Sequence, residues 1–228
     1  MPLRLESRPV GDVLIVQCQG RIVAGNDVFA LHAYVGDSFA KYVDIVLQLD
    51  RVEFVDSSGL GALVRLMREA RAKDGDLKLS GVVPDVRKTL EMTNLHTQFE
   101  IYDSAEEAIT AAYLGSRYSR GKAGDARPRV LCLFETSDVR AFLQEVLFAA
   151  GYNAMATGNI DDAKILLKAT KARVVVVSAQ LQSVYGRPTR KVLEDIDPGV
   201  SFFVLDENFA TQDPGQAAQK LLNSIGAV

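Results

Sequence analysis

Apolar and polar positions alternate in the first twenty residues and then change period. Leu3 to Val10 and Val13 to Gln19 alternate with the period of two that places one face of a strand on a core, and Gly11-Asp12 between them supplies a tight turn. This predicts a β-hairpin that Gly20 closes. Val28, Leu31, Val35 and Phe39 then recur at helical spacing, so a helix capped by Asn26 or Asp27 and running to about Phe39 follows. Val46, Leu47, Leu49, Val52, Phe54 and Val55 return to strand pattern and are expected as a buried strand pair. After Asp56-Ser57-Ser58-Gly59, a second helix is predicted from Leu60, Leu63, Val64, Met67 and Ala70, with Arg65, Arg68, Glu69 and Arg71 opposite.

The interleaving continues. Leu77 to Leu79 reads as a short strand, and Pro84 opens a helix through Thr93 that Asn94-Leu95-His96 breaks. Ile101-Tyr102 is a brief strand, and Ser104 with Glu107 three residues on forms a capping-box pattern for a helix through about Tyr113. Residues 1–115 are therefore expected as a mixed sheet covered by helices. Residues 116–128 lose apolar periodicity and concentrate Gly, Ser, Arg and Lys, which marks a solvated linker.

Residues 129–228 restart the alternation as a second domain. Strands are predicted at Val130–Phe134, Asn153–Thr157, Arg173–Val177 and Val200–Leu205, the third apolar throughout and so covered on both faces. Helices are predicted from Ser137 or Asp138 to Gly151, over Asp161–Thr170, over Val192–Ile196 and over Gln216–Ile225. Strand and helix in regular turn argue for a doubly wound parallel sheet, so the fold class is α/β in both halves.

Chemistry concentrates at Asp56-Ser57-Ser58-Gly59. All three polar residues are helix-capping types, and ordinary capping is one reading of them. The other is functional. A helix N-terminus offers unpaired donors and partial positive charge, so a phosphate on a serine there is tolerated while adding roughly −1.5 to −2 charge to the surface. Gly59 and Gly61 would let a partner approach closely, at a cost to the helix of up to about 1 kcal/mol each.

Phe54-Val55-Asp56-Ser57-Ser58-Gly59-Leu60-Gly61, after the strand Val43–Asp50, resembles the signature of the STAS family of bacterial anti-anti-sigma factors, also called anti-sigma factor antagonists. The order of elements over residues 1–115 agrees with that resemblance. It implies a partner-switching module that binds an anti-sigma factor serine kinase and is regulated by phosphorylation, with a serine phosphatase restoring the active form. By resemblance the phosphorylated residue is Ser57 and the partner contacts centre on Asp56, Ser57, Ser58 and Gly59, with Asp56 orienting the hydroxyl and Ser58 capping the helix. An alternative is a STAS scaffold subunit of a sensory or lipid-transport assembly in which Ser57 is never modified.

The segment VLCLFETSDVRAFLQEVLFAAGY, with KARVVVVSAQLQ after it, resembles the receiver domain of two-component response regulators. The resemblance is incomplete. A receiver holds Mg²⁺ with an acidic pair after its first strand and accepts phosphate on an aspartate ending its third. Here Phe134-Glu135 and Ser178 stand in those places, and the 23 residues after Leu205 leave little room for a fifth strand. A degenerate, truncated receiver is expected, serving docking, positioning or homodimerisation, without a ligand in the loop Tyr185-Gly186-Arg187-Pro188; a plain doubly wound domain is the alternative.

Composition narrows the rest. The net charge of −3 and a sequence pI of about 5.5 give no basic footprint for nucleic acid. No apolar run is long enough to span or insert into a membrane, and the first ten residues lack a secretory core, so a cytoplasmic protein is expected. Cys18 and Cys132 read as buried free thiols, and two histidines with two distant cysteines make no zinc motif. His32 is expected as a satisfied or exposed helix residue. Ser57 as a catalytic nucleophile is disfavoured because the G-x-S-x-G elbow is missing its first glycine. No catalytic residue, metal site or cofactor is expected.

Overall fold

The alternating apolar pattern folds, in a computed structural model of the chain, into two compact units, Met1–Lys122 and Ala123–Val228. The structure describes residues 1–115, 127–181, 183–184, 186–205, 209 and 214–225. Most of the expected linker, and Tyr185 of the loop singled out above, lie outside the described residues.

In the first unit β1 (Arg4–Val10) and β2 (Val13–Ile22) form the hairpin, and β3 (Asp44–Val55), β4 (Leu77–Ser80) and β5 (Ile101–Tyr102) complete a sheet in the order β1-β2-β3-β4-β5. Only the β1–β2 pair is antiparallel. The helices are α1 (Asn26–Ser38), α2 (Ser57–Ala72), α3 (Pro84–Met92) and α4 (Ala105–Gly115). Period two sorts the strands: Leu14, Val16, Cys18, Ile45, Leu47, Leu49, Leu77 and Leu79 pack in one core with Leu31 and Val35 of α1, Leu63 and Leu66 of α2 and Leu90 of α3. The opposite face, with Val13, Ile15 and Val46 buried, carries α4, whose Ala108, Ile109 and Ala112 are buried.

Three expectations change here. Gly20 does not close the hairpin. β2 continues to Ile22 through register shifts at Gln17/Gln19 and Gly20/Arg21, and Gly20 takes φ +106 where a Cβ would meet the Pro2 carbonyl oxygen at 2.6 Å. Residues Val46 to Val55 are not a strand pair but part of one twelve-residue strand, bonded along its length to β2. Neither Asn26 nor Asp27 caps α1; Gly25 occupies the cap, and the Asp27 carboxylate instead accepts the Leu3 N–H at 3.2 Å.

On the α4 face Lys78 is buried, its ammonium donating to Glu100 and, at 3.3 Å, to Asp76. A buried cation that loses one of its two carboxylate partners is under-neutralised and costly, whereas exchange of the whole side chain for an apolar one of similar shape is tolerated. Glu100→Ala is therefore expected to lower the urea midpoint by the equivalent of about 1–3 kcal/mol, and Lys78→Met by much less.

The second unit has β6 (Arg129–Leu133), β7 (Asn153–Thr157), β8 (Val174–Ser178) and β11 (Ser201–Leu205) in one parallel sheet of order β11-β8-β6-β7. Two short strands, β9 (Ser183–Val184) and β10 (Arg187–Pro188), pair separately. Numbered within the unit, the sheet runs 2-1-3-4, the order of flavodoxin-like doubly wound folds through their fourth strand. Helices α5 (Ser137–Ala149) and α8 (Pro214–Ile225) cover one face, where Leu143, Leu147, Ala217 and Leu221 meet Val130, Cys132, Val174 and Val176. Buried residues of α6 (Ile160–Thr170) serve the other, and α7 (Thr189–Glu194) packs beside α6. β8 is buried at every residue, as its continuous apolar run requires. The α5 cap is Thr136 rather than Ser137 or Asp138, and the short helix expected from Val192 begins three residues earlier. Cys18 and Cys132 are buried free thiols, and burial pushes both up to about 12.

Candidate functional site

β3 ends at buried Val55, and the chain turns at Asp56, whose extended backbone (φ −88, ψ −178) is that of a helix N-cap. One carboxylate oxygen, Oδ1, accepts the Gly59 N–H at 2.7 Å; the other, Oδ2, accepts the Ala24 N–H at 2.9 Å. The Asp56 N–H in turn donates to the Ile22 carbonyl at 3.2 Å. Asp56 thus closes the start of α2 and ties it to the segment after β2. Its carboxyl is held below the usual range, first by the Ala24 N–H, then by that of Gly59, with Arg21 adding a weaker attraction.

The cap position corrects the role expected of Ser58. Ser57 and Ser58 are the first two residues of α2, both exposed, while the capping acceptor is Asp56. The carboxylate takes one of the helix-end donors, the Gly59 N–H, and Ser57 is exposed, so a group attached to Ser57 faces solvent beside a fixed negative charge.

Gly59 is buried. A Cβ on it would stand 2.3 Å from the Ile22 carbonyl oxygen and 2.8 Å from Val55 Cγ1, so the backbone approach it permits is that of the chain's own β2. Gly61 is exposed, and a Cβ there meets nothing within 4 Å. Of the four residues proposed for partner contact, Ser57 and Ser58 are on the surface, Asp56 is half-buried and Gly59 lies beneath them.

Phe54, expected within the buried strand pair, is 46% exposed, with the Arg21 guanidinium 5.2 Å from its ring centroid. A shallow groove beside it is lined by Glu53, Phe54, Val55, Asp85, Val86 and Thr89. No short-range pattern joins Arg21 to Phe54; the β2–β3 register, which sets Arg21 opposite Phe54, does. His32 Nε2 lies 3.0 Å from Glu69 Oε1, joining α1 to α2.

Because the Asp56 carboxyl is depressed in the folded state, its charge-dependent stabilisation is fully present above the unfolded carboxylate pKa of about 4 and lost as pH falls through the folded value. Asp56→Ala is expected to cost about 1 kcal/mol at neutral pH, with the gap from the parent chain narrowing on acidification. Urea midpoints measured from neutral to acid pH check both statements.

At the C-terminal ends of β6 and β8, where receivers carry their acidic site, Glu135 is exposed and Ser178 is buried with its Oγ accepting the Gln180 N–H at 3.1 Å. Arg140 reaches back from α5 and donates to the carbonyls of Phe134 at 2.8 Å and Glu135 at 2.6 Å. A guanidinium therefore holds the turn after the first strand, a feature the sequence pattern did not reveal.

The sequence pattern of the STAS domain matches residues 4–108. An anti-sigma F factor antagonist of Paenibacillus polymyxa is 30% identical over 111 residues, 48% of this chain and 95% of that protein. The chain belongs to the STAS domain family. A STAS-domain containing protein of Pseudomonas aeruginosa is 30% identical over 95 residues, 40% of this chain and 89% of that one. Among solved structures, an anti-sigma factor antagonist from Mycobacterium paratuberculosis is 26% identical and covers 48% of this chain and 93% of its own, at a TM-score of 0.42. The STAS match ends at residue 108, so the second unit lies outside it. No helix among the described residues is long and apolar enough to cross a membrane.

Proposed function

We propose that the STAS unit is an anti-sigma factor antagonist that binds an anti-sigma serine kinase and is switched by phosphorylation of Ser57. The observation that carries this reading is the exposed serine at the first position of α2, beside an aspartate that already serves as cap. A phosphate on Ser57 leaves that cap intact and adds its charge to that of Asp56, so the fold survives while the contact surface becomes strongly anionic. Relatives named as anti-sigma factor antagonists support the same reading. The unmodified form binds the kinase and displaces a sigma factor; a serine phosphatase regenerates it. The protein acts as a cytoplasmic binding module rather than an enzyme.

The second unit acts as a degenerate receiver that positions or pairs the STAS unit without accepting phosphate. The 2-1-3-4 strand order supports its kinship with receivers. Ser178 in the acceptor position and Arg140 beside the lone Glu135 support its loss of magnesium chemistry, since a fixed cation opposes a divalent one.

Incubation of the full chain with candidate anti-sigma kinases and ATP, followed by mapping of phosphopeptides by mass spectrometry, tests the switch. Phosphate on Ser57 is the expected result. Phosphate on Ser58 alone moves the site by one residue, and a kinase that binds the protein yet leaves it unmodified overturns the switch in favour of the scaffold alternative.

A further inference from the structure

Sheet edges invite pairing with other chains, and proteins blunt them with charge, proline or brevity. Those of the first unit are blunted: β1 carries Arg4, Glu6, Arg8 and Pro9, and β5 is two residues long. β11 has none of these devices. Its sequence, Ser-Phe-Phe-Val-Leu, is uncharged and rich in strand-forming side chains; Val204 is 52% exposed and Phe202 and Phe203 are half-buried. In the 2-1-3-4-5 order a fifth strand covers this flank, and among the described residues none does.

We propose that β11 pairs antiparallel with β11 of a second copy of this chain, joining two four-stranded sheets into one of eight. The strand is self-complementary about Phe203. A two-fold axis there sets Ser201 opposite Leu205 and Phe202 opposite Val204, with no charge among the paired residues. Phe202 and Val204 lie in register with Val175 and Val177 of β8 and so share one face. Pairing would bring them beside their two symmetry mates in a continuous apolar row, aromatic against β-branched residue. Arg190 of α7 lies 5.6 Å over the Phe202 ring. The two-fold places the two Phe202 rings, and hence the two guanidinium groups, at opposite ends of that row. Because the contact is isologous it closes at two copies. This inference stands independently of the Ser57 switch.

Sedimentation or light scattering of the full chain, at concentrations up to roughly 100 μM to reach weak dimers, reads the result. The expected species has twice the 24.8 kDa mass of one chain. Val204→Lys places a charge on an already exposed edge position, and is expected to raise the dissociation constant by about 100-fold or more with an unchanged circular dichroism spectrum. Val204→Thr keeps the β-branch and remains dimeric. A monomeric parent chain, a dimer indifferent to Val204→Lys, or an open series of larger species each overturns the proposal; the first would assign the edge to a strand from a different protein.

Discussion

Gly59→Ala is expected to destabilise the STAS unit by about 3 kcal/mol, near the upper end for overpacking, because the new methyl has nowhere to go. Its Cβ falls 2.3 Å from the Ile22 carbonyl oxygen, a backbone atom of β2 that cannot rotate away. Relief requires α2 to lift from the sheet, and the Asp56 bonds to Gly59 and Ala24 hold it down. Gly61→Ala, one half-turn further along, is expected to stabilise by up to about 1 kcal/mol, since its site is open and alanine is the better helix former. Denaturant midpoints of the two variants separate packing from propensity. Equal shifts of the same sign would sink the assignment of Gly59 to β2 contact.

If the proposed switch operates, Ser57→Asp weakens binding to the anti-sigma kinase by about 100-fold, roughly 2.7 kcal/mol, while Ser57→Ala binds as the parent does. The reason lies in the cap. Asp56 already takes the Gly59 N–H, so a second carboxylate on the first helical residue stays exposed to the partner, which must desolvate it or meet it with repulsion. Calorimetric titration of both variants against the partner decides the matter. Equal affinity for the two variants would remove Ser57 from the contact surface.

Local pattern made much of this arrangement legible. The alternation on either side of Gly11-Asp12 gave the hairpin, and helical spacing of Leu60, Leu63 and Met67 gave the buried side of α2. What escaped was set by contacts distant in sequence. Asp50 and Arg51 interrupt the apolar run of β3 and suggest a break, yet pairing with β2 carries the strand through them. Gly20 looks like a terminator because its companion, the Pro2 carbonyl, is eighteen residues away. Likewise Gly59 reads as an opening for a partner until β2 is laid over it. Cap-type residues crowd the helix starts, and tertiary bonds decide among them: Asp56 has two backbone donors to satisfy and becomes the cap, while Asp27 is drawn to Leu3.

The Tyr113 hydroxyl accepts the Asp12 N–H at 2.8 Å and donates to the Val10 carbonyl at 3.1 Å, so the last helix of the STAS unit is fastened to its first turn. During synthesis the hairpin leaves the ribosome long before α4, and for about a hundred residues its turn lacks this partner. The α4 face of the sheet, with Val13, Ile15 and Val46, likewise stays uncovered until α4 emerges. Closure of the unit is therefore a late, long-range event, of the kind that slows folding and lengthens the time during which a nascent chain depends on chaperones.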